Sequence, residues 1–213
     1  MIKKFRYPVF GNRHPFCTYM IEKLKNAVLH HNKIGVPVYL NFGFGRKPLP
    51  GFLNIDITLN VEEQYNIFVF DWLRQPLPIP DSSVDFVFSE DFFEHLTQKE
   101  QIVFLYETYR VLKPGCFHRV STPNLCEILA LNNKTESRTV TFPFPLVHND
   151  WDLWHHKSII TSGYLKEIAI IIGYSEAHFN EKNKSVSGVK FVETRPDCDR
   201  DELTGNIHVD LKK

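Results

Sequence analysis

Glycines and carboxylates recur in this chain where short apolar runs stop. The run Val36–Phe42 ends in Asn41-Phe42-Gly43-Phe44-Gly45. Glycines there let the backbone take positive φ and approach a ligand closely, and exposed N–H groups in such a turn suit a carboxylate or a phosphate. Asp56 closes the next run, Phe52–Ile57. An acidic residue at a strand end can accept hydrogen bonds from both hydroxyls of a ribose, and it equally suits a capping or surface position. Asp71-Trp72 follows Asn66–Phe70. That pair can bond and stack an adenine ring, or serve as a helix cap beside a core tryptophan. Ser89-Glu90-Asp91 follows the run Val84–Phe88.

A second set of side chains suits proton transfer. Asp91 stands at the end of the fourth run, Glu94 and His95 follow it, and His156 lies in the aromatic segment WDLWHH at 151–156. Carboxylates and imidazoles are the usual general bases for a hydroxyl nucleophile. Glu94 and His95 also suit the first turn of a helix, where they would compensate its dipole. The WDLWHH segment reads as a wall for a sugar or ring, or as an apolar anchor for a long loop. His148, His155 and His156 match no metal-ligand spacing, so no metal is expected.

Elements of alternating type must carry these groups. Met20, Ile21, Leu24, Ala27 and Val28 recur at helical spacing within 17–31,. A second helix spans 98–112, with Ile102, Leu105, Tyr106, Tyr109 and Val111-Leu112 on its apolar side and Lys113-Pro114-Gly115 at its stop,. A third spans 159–172 and closes at Gly173. Further strands are expected at 117–121, 176–180 and 206–211. Strands alternating with helices predict an α/β fold with a mostly parallel sheet. In such a sheet ligands bind outside the carboxyl ends of the strands, at the switch point. The glycine loop, Asp56, Asp71 and Ser89-Glu90 all fall there. The chain reads as one domain over 1–213, with an N-terminal helical extension at 1–35 and an irregular acceptor-side segment at 122–157.

One connection is too short for the usual plan. Only residues 46–53 separate Gly45 from Asn54, whereas a parallel crossover carrying a helix needs about a dozen residues or more. The first crossover helix is therefore expected to be missing or reduced, with the 17–31 helix covering the face it leaves. A dinucleotide site, whose pyrophosphate rests on that helix, is disfavoured.

Charge narrows the class further. Twenty-five basic residues balance twenty-five acidic ones, which argues against nucleic acid as a partner. No run approaches the length of a membrane span. Cys17, Cys116, Cys126 and Cys198 form no CxxC and read as reduced thiols of a cytoplasmic protein,.

The segments LNFGFGRKPLPGFLNID, FDW, PLPIPDSSVDFVFSEDFFEHL and LYETYRVLKPGCFHRVSTPNL, in that order, resemble the class I S-adenosylmethionine-dependent methyltransferases, in their type-11-like branch. The resemblance covers about residues 38–125 and continues more loosely to the last strand. It implies a Rossmann-like three-layer sandwich of about seven strands and S-adenosyl-L-methionine as cofactor. Asn41, Gly43, Phe44 and Gly45 would flank its methionine part, Asp56 and Ile57 its ribose, Asp71 and Trp72 its adenine, and Ser89 and Glu90 its sulfonium. Apart from the resemblance, Asp91, His95 and His156 are expected to be catalytic among the proton-transfer candidates,. Three positions depart from the pattern: Asn41 replaces an acidic residue, Gly115-Cys116 replaces Gly-Gly, and Asp91 stands where relatives often carry His. The implied reaction is methyl transfer to a small-molecule or glycan acceptor. A cofactor-binding relative without activity, and an enzyme acting on RNA or protein, remain as alternatives. Oligomeric state is left open.

Overall fold

The computed structural model describes residues 15–57, 66–71, 73, 76–124, 155–158, 160–194 and 206–213. Helix α1 spans Pro15–Ile34, and strands β1 to β4 span Tyr39–Phe42, Leu53–Asp56, Ile67–Val69 and Val84–Glu90. A 3-10 turn at Phe93–His95 precedes α2, Gln98–Val111, which runs directly into β5, Leu112–Pro123. Helix α3 spans Ser162–Ile172, followed by β6 at Glu176–Phe179 and β7 at Asn206–Lys212. The seven strands form one sheet in the order β3-β2-β1-β4-β5-β7-β6. The first five pair in parallel, and β7 is antiparallel to both β5 and β6. Among the described residues, no helix is long and apolar enough to cross a membrane.

Local signals explain the helix ends. Thr97 caps α2, accepting from the Glu100 N–H while Glu100 bonds back to the Thr97 N–H at 2.7 Å, a reciprocal box that satisfies two orphan donors. Lys113-Pro114-Gly115 does stop the helix, but as a bulge inside β5. Val84 pairs with Leu112 and Phe86 with Phe117, so the intervening residues are looped out. The buried stripe of α2 also differs from expectation. Gln101, Phe104, Leu105, Thr108 and Val111 face the core, whereas Ile102 and Tyr106 are 46% and 56% exposed. The apolar side is set by i, i+3, i+4, i+7 spacing from Gln101.

The two faces of the sheet are covered differently. On one, Leu40, Phe42, Ile55, Phe68, Val87, Val120 and Val209 pack against α1, α2 and α3 through Leu24, Val28, Phe104, Leu105, Leu165 and Ala169. Phe42 meets Phe104 of α2 edge-on at 5.3 Å. Phe42, Ile55 and Phe68 are register partners and share that face. Lys23 of α1 lies over the Phe68 ring, so α1 sits on the same face as α2. This corrects the expectation that α1 covers the surface left by the missing crossover helix. Right-handed connections put the β1–β2 crossover and α2 on opposite faces, because the chain moves along the sheet in opposite directions. The bare face is instead covered by the crossover segment and a C-terminal strap. Leu49 and Phe52 pack with Phe86 and Phe88, and Val189 and Phe191 pack beside them. Among the described residues, this covering layer is loop and turn rather than helix.

That strap also neutralises a buried cation. Arg119 has no exposed surface and donates to Glu193 from Nε at 2.9 Å and Nη2 at 3.1 Å. Its Nη2 also donates to the Glu181 carbonyl, and its Nη1 lies 3.6 Å from Asp210. Burial alone raises the Glu193 pKa, but hydrogen bonds from His208 and Arg119, with the arginine charge, outweigh it and hold the carboxyl at about 2. Cys116 is a free thiol; Cys126, Cys198 and the Cys17 side chain lie outside the described residues.

Removing one partner of a buried ion pair typically costs about 3–5 kcal/mol. Glu193→Ala is expected to lose that much in urea unfolding at pH 7. Because the folded value lies below the ordinary 4.5, the Glu193 contribution is complete above pH 4.5 and is lost as pH falls toward 2,. A loss under about 1 kcal/mol would contradict the role given to the strap.

Candidate functional site

The turn after β1 is held by the end of β2. Gly43 and Gly45 both take positive φ, 68° and 56°. The Gly43 N–H donates to the Ile55 carbonyl at 2.9 Å. Asp56, 8% exposed, accepts from the Gly45 N–H on one carboxylate oxygen at 2.9 Å and from the Ile57 N–H on the other at 2.7 Å. Its charge is therefore fixed at the mouth of the glycine turn. Ile57 itself is 49% exposed.

Asn54, which the sequence reading did not single out, staples the crossover. Its Oδ1 accepts from Asn41 Nδ2 and from the Leu49 N–H, both at 2.8 Å. Its Nδ2 donates to the carbonyls of Leu49 and Phe52. Asn41 is thus buried and engaged within the scaffold while still lining the cleft beside the turn. The signal was present as Asn-Ile-Asp at the strand end, but only the aspartate suggested chemistry.

The reason for glycine at 43 is also local. A Cβ there would lie 2.1 Å from Cδ2 of Phe92, whose ring packs on Phe104 at 5.2 Å. Any side chain at 43 would have to displace that ring.

A narrow cleft opens between this turn and β4. Its wall includes Gly43, Phe44, Lys47, Phe88 and Glu90. The Glu90 carboxylate accepts from the N–H and hydroxyl of Thr194 at 3.2 and 3.3 Å. Lys47 Nζ donates to the Thr194 carbonyl at 3.0 Å. The cleft thus carries one anion and one cation, bridged by the strap. Ser89 points the other way. Its hydroxyl is fully buried on the helix-covered face, 3.3 Å from His118 Nε2. Alternation along β4 sends Ser89 and Glu90 to opposite faces. Asp71 is half-buried just past β3, and Trp72 lies outside the described residues.

A second cluster lies past β4. Asp91 takes φ of 46° and donates its N–H to the Ser121 carbonyl at 3.0 Å. Glu94 is 2% exposed and accepts from the Thr122 hydroxyl at 2.8 Å. Its other oxygen lies 3.9 Å from His95 Nε2 and 3.8 Å from His156 Nε2. The two imidazoles meet edge to face at 4.8 Å. The Lys157 and Ser158 N–H groups donate to the Glu94 carbonyl, docking the His156 segment on the 3-10 turn. Burial, then the neighbouring His95, lowers the His156 pKa to about 4. His148, Trp151 and Trp154 lie outside the described residues.

Strand order, the turn at β1 and the acid ending β2 define a Rossmann-like α/β fold. A methyltransferase-domain family matches residues 56–119, from Asp56 through β5. A 48-residue stretch is 50% identical to a probable S-adenosylmethionine-dependent methyltransferase of Mycolicibacterium smegmatis, and spans 22% of this chain and 18% of that protein. A SAM-dependent methyltransferase from Archaeoglobus fulgidus is similar in structure with a TM-score of 0.54 at 16% identity, over 91% of this chain and 94% of that one. Another, from Mesorhizobium loti, has a TM-score of 0.52 at 14% identity, over 88% and 96% of the two chains. The family match spans 64 of the 213 residues, and the likeness to the solved structures is one of fold.

Beneath Ser89, burial pushes His118 down to about pKa 3. It stays neutral in the folded chain, whereas an unfolded histidine protonates near 6.5. Stability should therefore fall as pH drops below 6.5, by about 2 kcal/mol from this residue between pH 6.5 and 5. Urea midpoints across that range test it. His118→Gln should flatten the slope, and an unchanged slope would contradict the assignment.

Proposed function

We propose that the chain binds S-adenosyl-L-methionine across the carboxyl ends of β1, β2 and β4 and transfers its methyl group to a small-molecule or glycan acceptor. The observation that carries this reading is Asp56, held at the mouth of the glycine turn and opening the segment that matches the family. Each oxygen of its carboxylate takes one backbone N–H, and a carboxylate offers about four acceptor sites, so it can also receive ribose hydroxyls. Glu90 and Lys47 face the same cleft with charges opposite to those of the cofactor's amino-acid ammonium and carboxylate. In this reading Asp71, just past β3, would meet the adenine.

The cofactor supplies a methyl group already activated on a sulfonium. The protein's task is then chiefly alignment, which can be worth up to about 7–11 kcal/mol in favourable cases. Asp91, His95 and His156 would border the acceptor. A neutral His156 against Glu94 can take a proton from an acceptor hydroxyl, with the carboxylate stabilising the imidazolium that forms. A free Cys116 thiol fits the cytoplasmic location that is part of this reading,.

A second reading, cofactor binding without transfer, draws on Asp91, which stands where relatives often carry His. Methylated product from any acceptor eliminates it.

Thermal unfolding with S-adenosylhomocysteine and, separately, NAD tests the cofactor assignment. A ligand at 100 times its dissociation constant adds about 2.7 kcal/mol of stability. The expected result is a shift with the former and none with the latter; no shift with S-adenosylhomocysteine overturns the proposal. Asp56→Ala should abolish the shift, with its own ligand-free stability measured first, because the substitution also releases the Gly45 turn.

A further inference from the structure

Glu94, His95 and His156 bring three metal-ligating groups together from two parts of the chain. One ligand atom from each lies within 4.8 Å of the others. Both histidines present Nε2 to the same carboxylate oxygen, at 3.9 and 3.8 Å. Those separations are longer than hydrogen bonds. They are close to the spacing around a bound ion. With zinc–ligand bonds of about 2.0–2.1 Å, neighbouring ligands of a tetrahedral ion sit roughly 3.4 Å apart. The two imidazole–carboxylate pairs need to close by about half an ångström, and the imidazole–imidazole pair, within 4.8 Å, by up to roughly 1.4 Å, through side-chain rotation,.

The surroundings hold the three groups in place. The Thr122 hydroxyl donates to the far oxygen of Glu94, leaving the near oxygen toward the imidazoles, as outer hydrogen bonds orient metal-binding carboxylates. The backbone bonds from Lys157 and Ser158 to the Glu94 carbonyl fix the two chain segments against each other. Glu94 is almost fully buried, while His95 and His156 expose 36% and 11% of their side chains. A cation could therefore enter from the histidine side.

We propose that Glu94 Oε1, His95 Nε2 and His156 Nε2 form a site for one divalent transition-metal ion of the zinc type. Two imidazoles and a carboxylate suit zinc, iron, nickel or copper rather than magnesium or calcium. Three protein ligands leave a tetrahedral ion one position for water or for a ligand oxygen. The site stands independently of the cofactor. It deepens the functional reading by placing a Lewis acid on the acceptor side, so a hydroxyl acceptor would meet a metal there and the histidines would serve as ligands instead of as a base.

Cobalt(II) is the probe, because its visible absorption reports histidine coordination directly. Full-length protein freed of metal with a chelator is titrated with Co²⁺ and then competed with Zn²⁺. The expected result is one equivalent bound per chain, with the absorption abolished by His95→Ala/His156→Ala and affinity lowered about tenfold or more by Glu94→Gln. Failure to bind one equivalent, or binding unchanged in the double variant, overturns the proposal. The S-adenosylhomocysteine shift of each variant confirms a folded cofactor site. A lost metal site with a retained shift, or the reverse, separates this inference from the cofactor assignment.

Discussion

The short connection between β1 and β2 is the constraint on which the rest of this structure turns. A parallel crossover normally brings a helix back over the sheet, and here the chain returns within the turn and loop 43–52. A loop lying on a sheet must satisfy its backbone polar groups without a helical ladder. Asn54 does much of this with one side chain, bonding Leu49 twice and Phe52 once while holding Asn41. Asp56 adds the bond to Gly45. An unmet buried donor or acceptor costs about 1–3 kcal/mol, so these two residues determine whether the crossover can lie flat.

A missing helix also leaves a sheet face to cover. Among the described residues, Leu49 and Phe52 pack on it together with Val189 and Phe191 of the strap. The strap supplies the carboxylate that makes a fully buried Arg119 tolerable, and it hydrogen-bonds Glu90 and Lys47 at the cleft. Stability and site geometry on this face therefore come from the same segment. The opposite face is an ordinary apolar interface of helices and strands and contributes position more than chemistry.

Much of this was legible in the sequence. The strands stood out as apolar runs bounded by glycine, proline and acids, and the eight residues after Gly45 announced the missing helix. Other features required three dimensions. Helix α1 carries an apolar stripe that fits either face, so its placement was open to periodicity alone. Ser89 and Glu90 read alike as strand-end polar residues, although neighbours on a strand must point apart. Gly43 was read for its freedom toward a ligand, whereas in the fold its missing side chain makes room for Phe92, a residue 49 positions away in sequence. His95 and His156 were singled out separately. Nothing in their spacing showed that a backbone docking at Glu94 brings them onto one carboxylate.

The central claim is that the cleft between the glycine turn and β4, together with Asp56 at the end of β2, receives S-adenosylmethionine despite the missing helix. A crystal structure of the chain with S-adenosylhomocysteine measures this directly. The predicted result places the ribose hydroxyls within hydrogen-bond distance of Asp56 and the amino-acid end between Lys47 and Glu90. A ligand bound elsewhere, or one leaving Asp56 without contact, would contradict it.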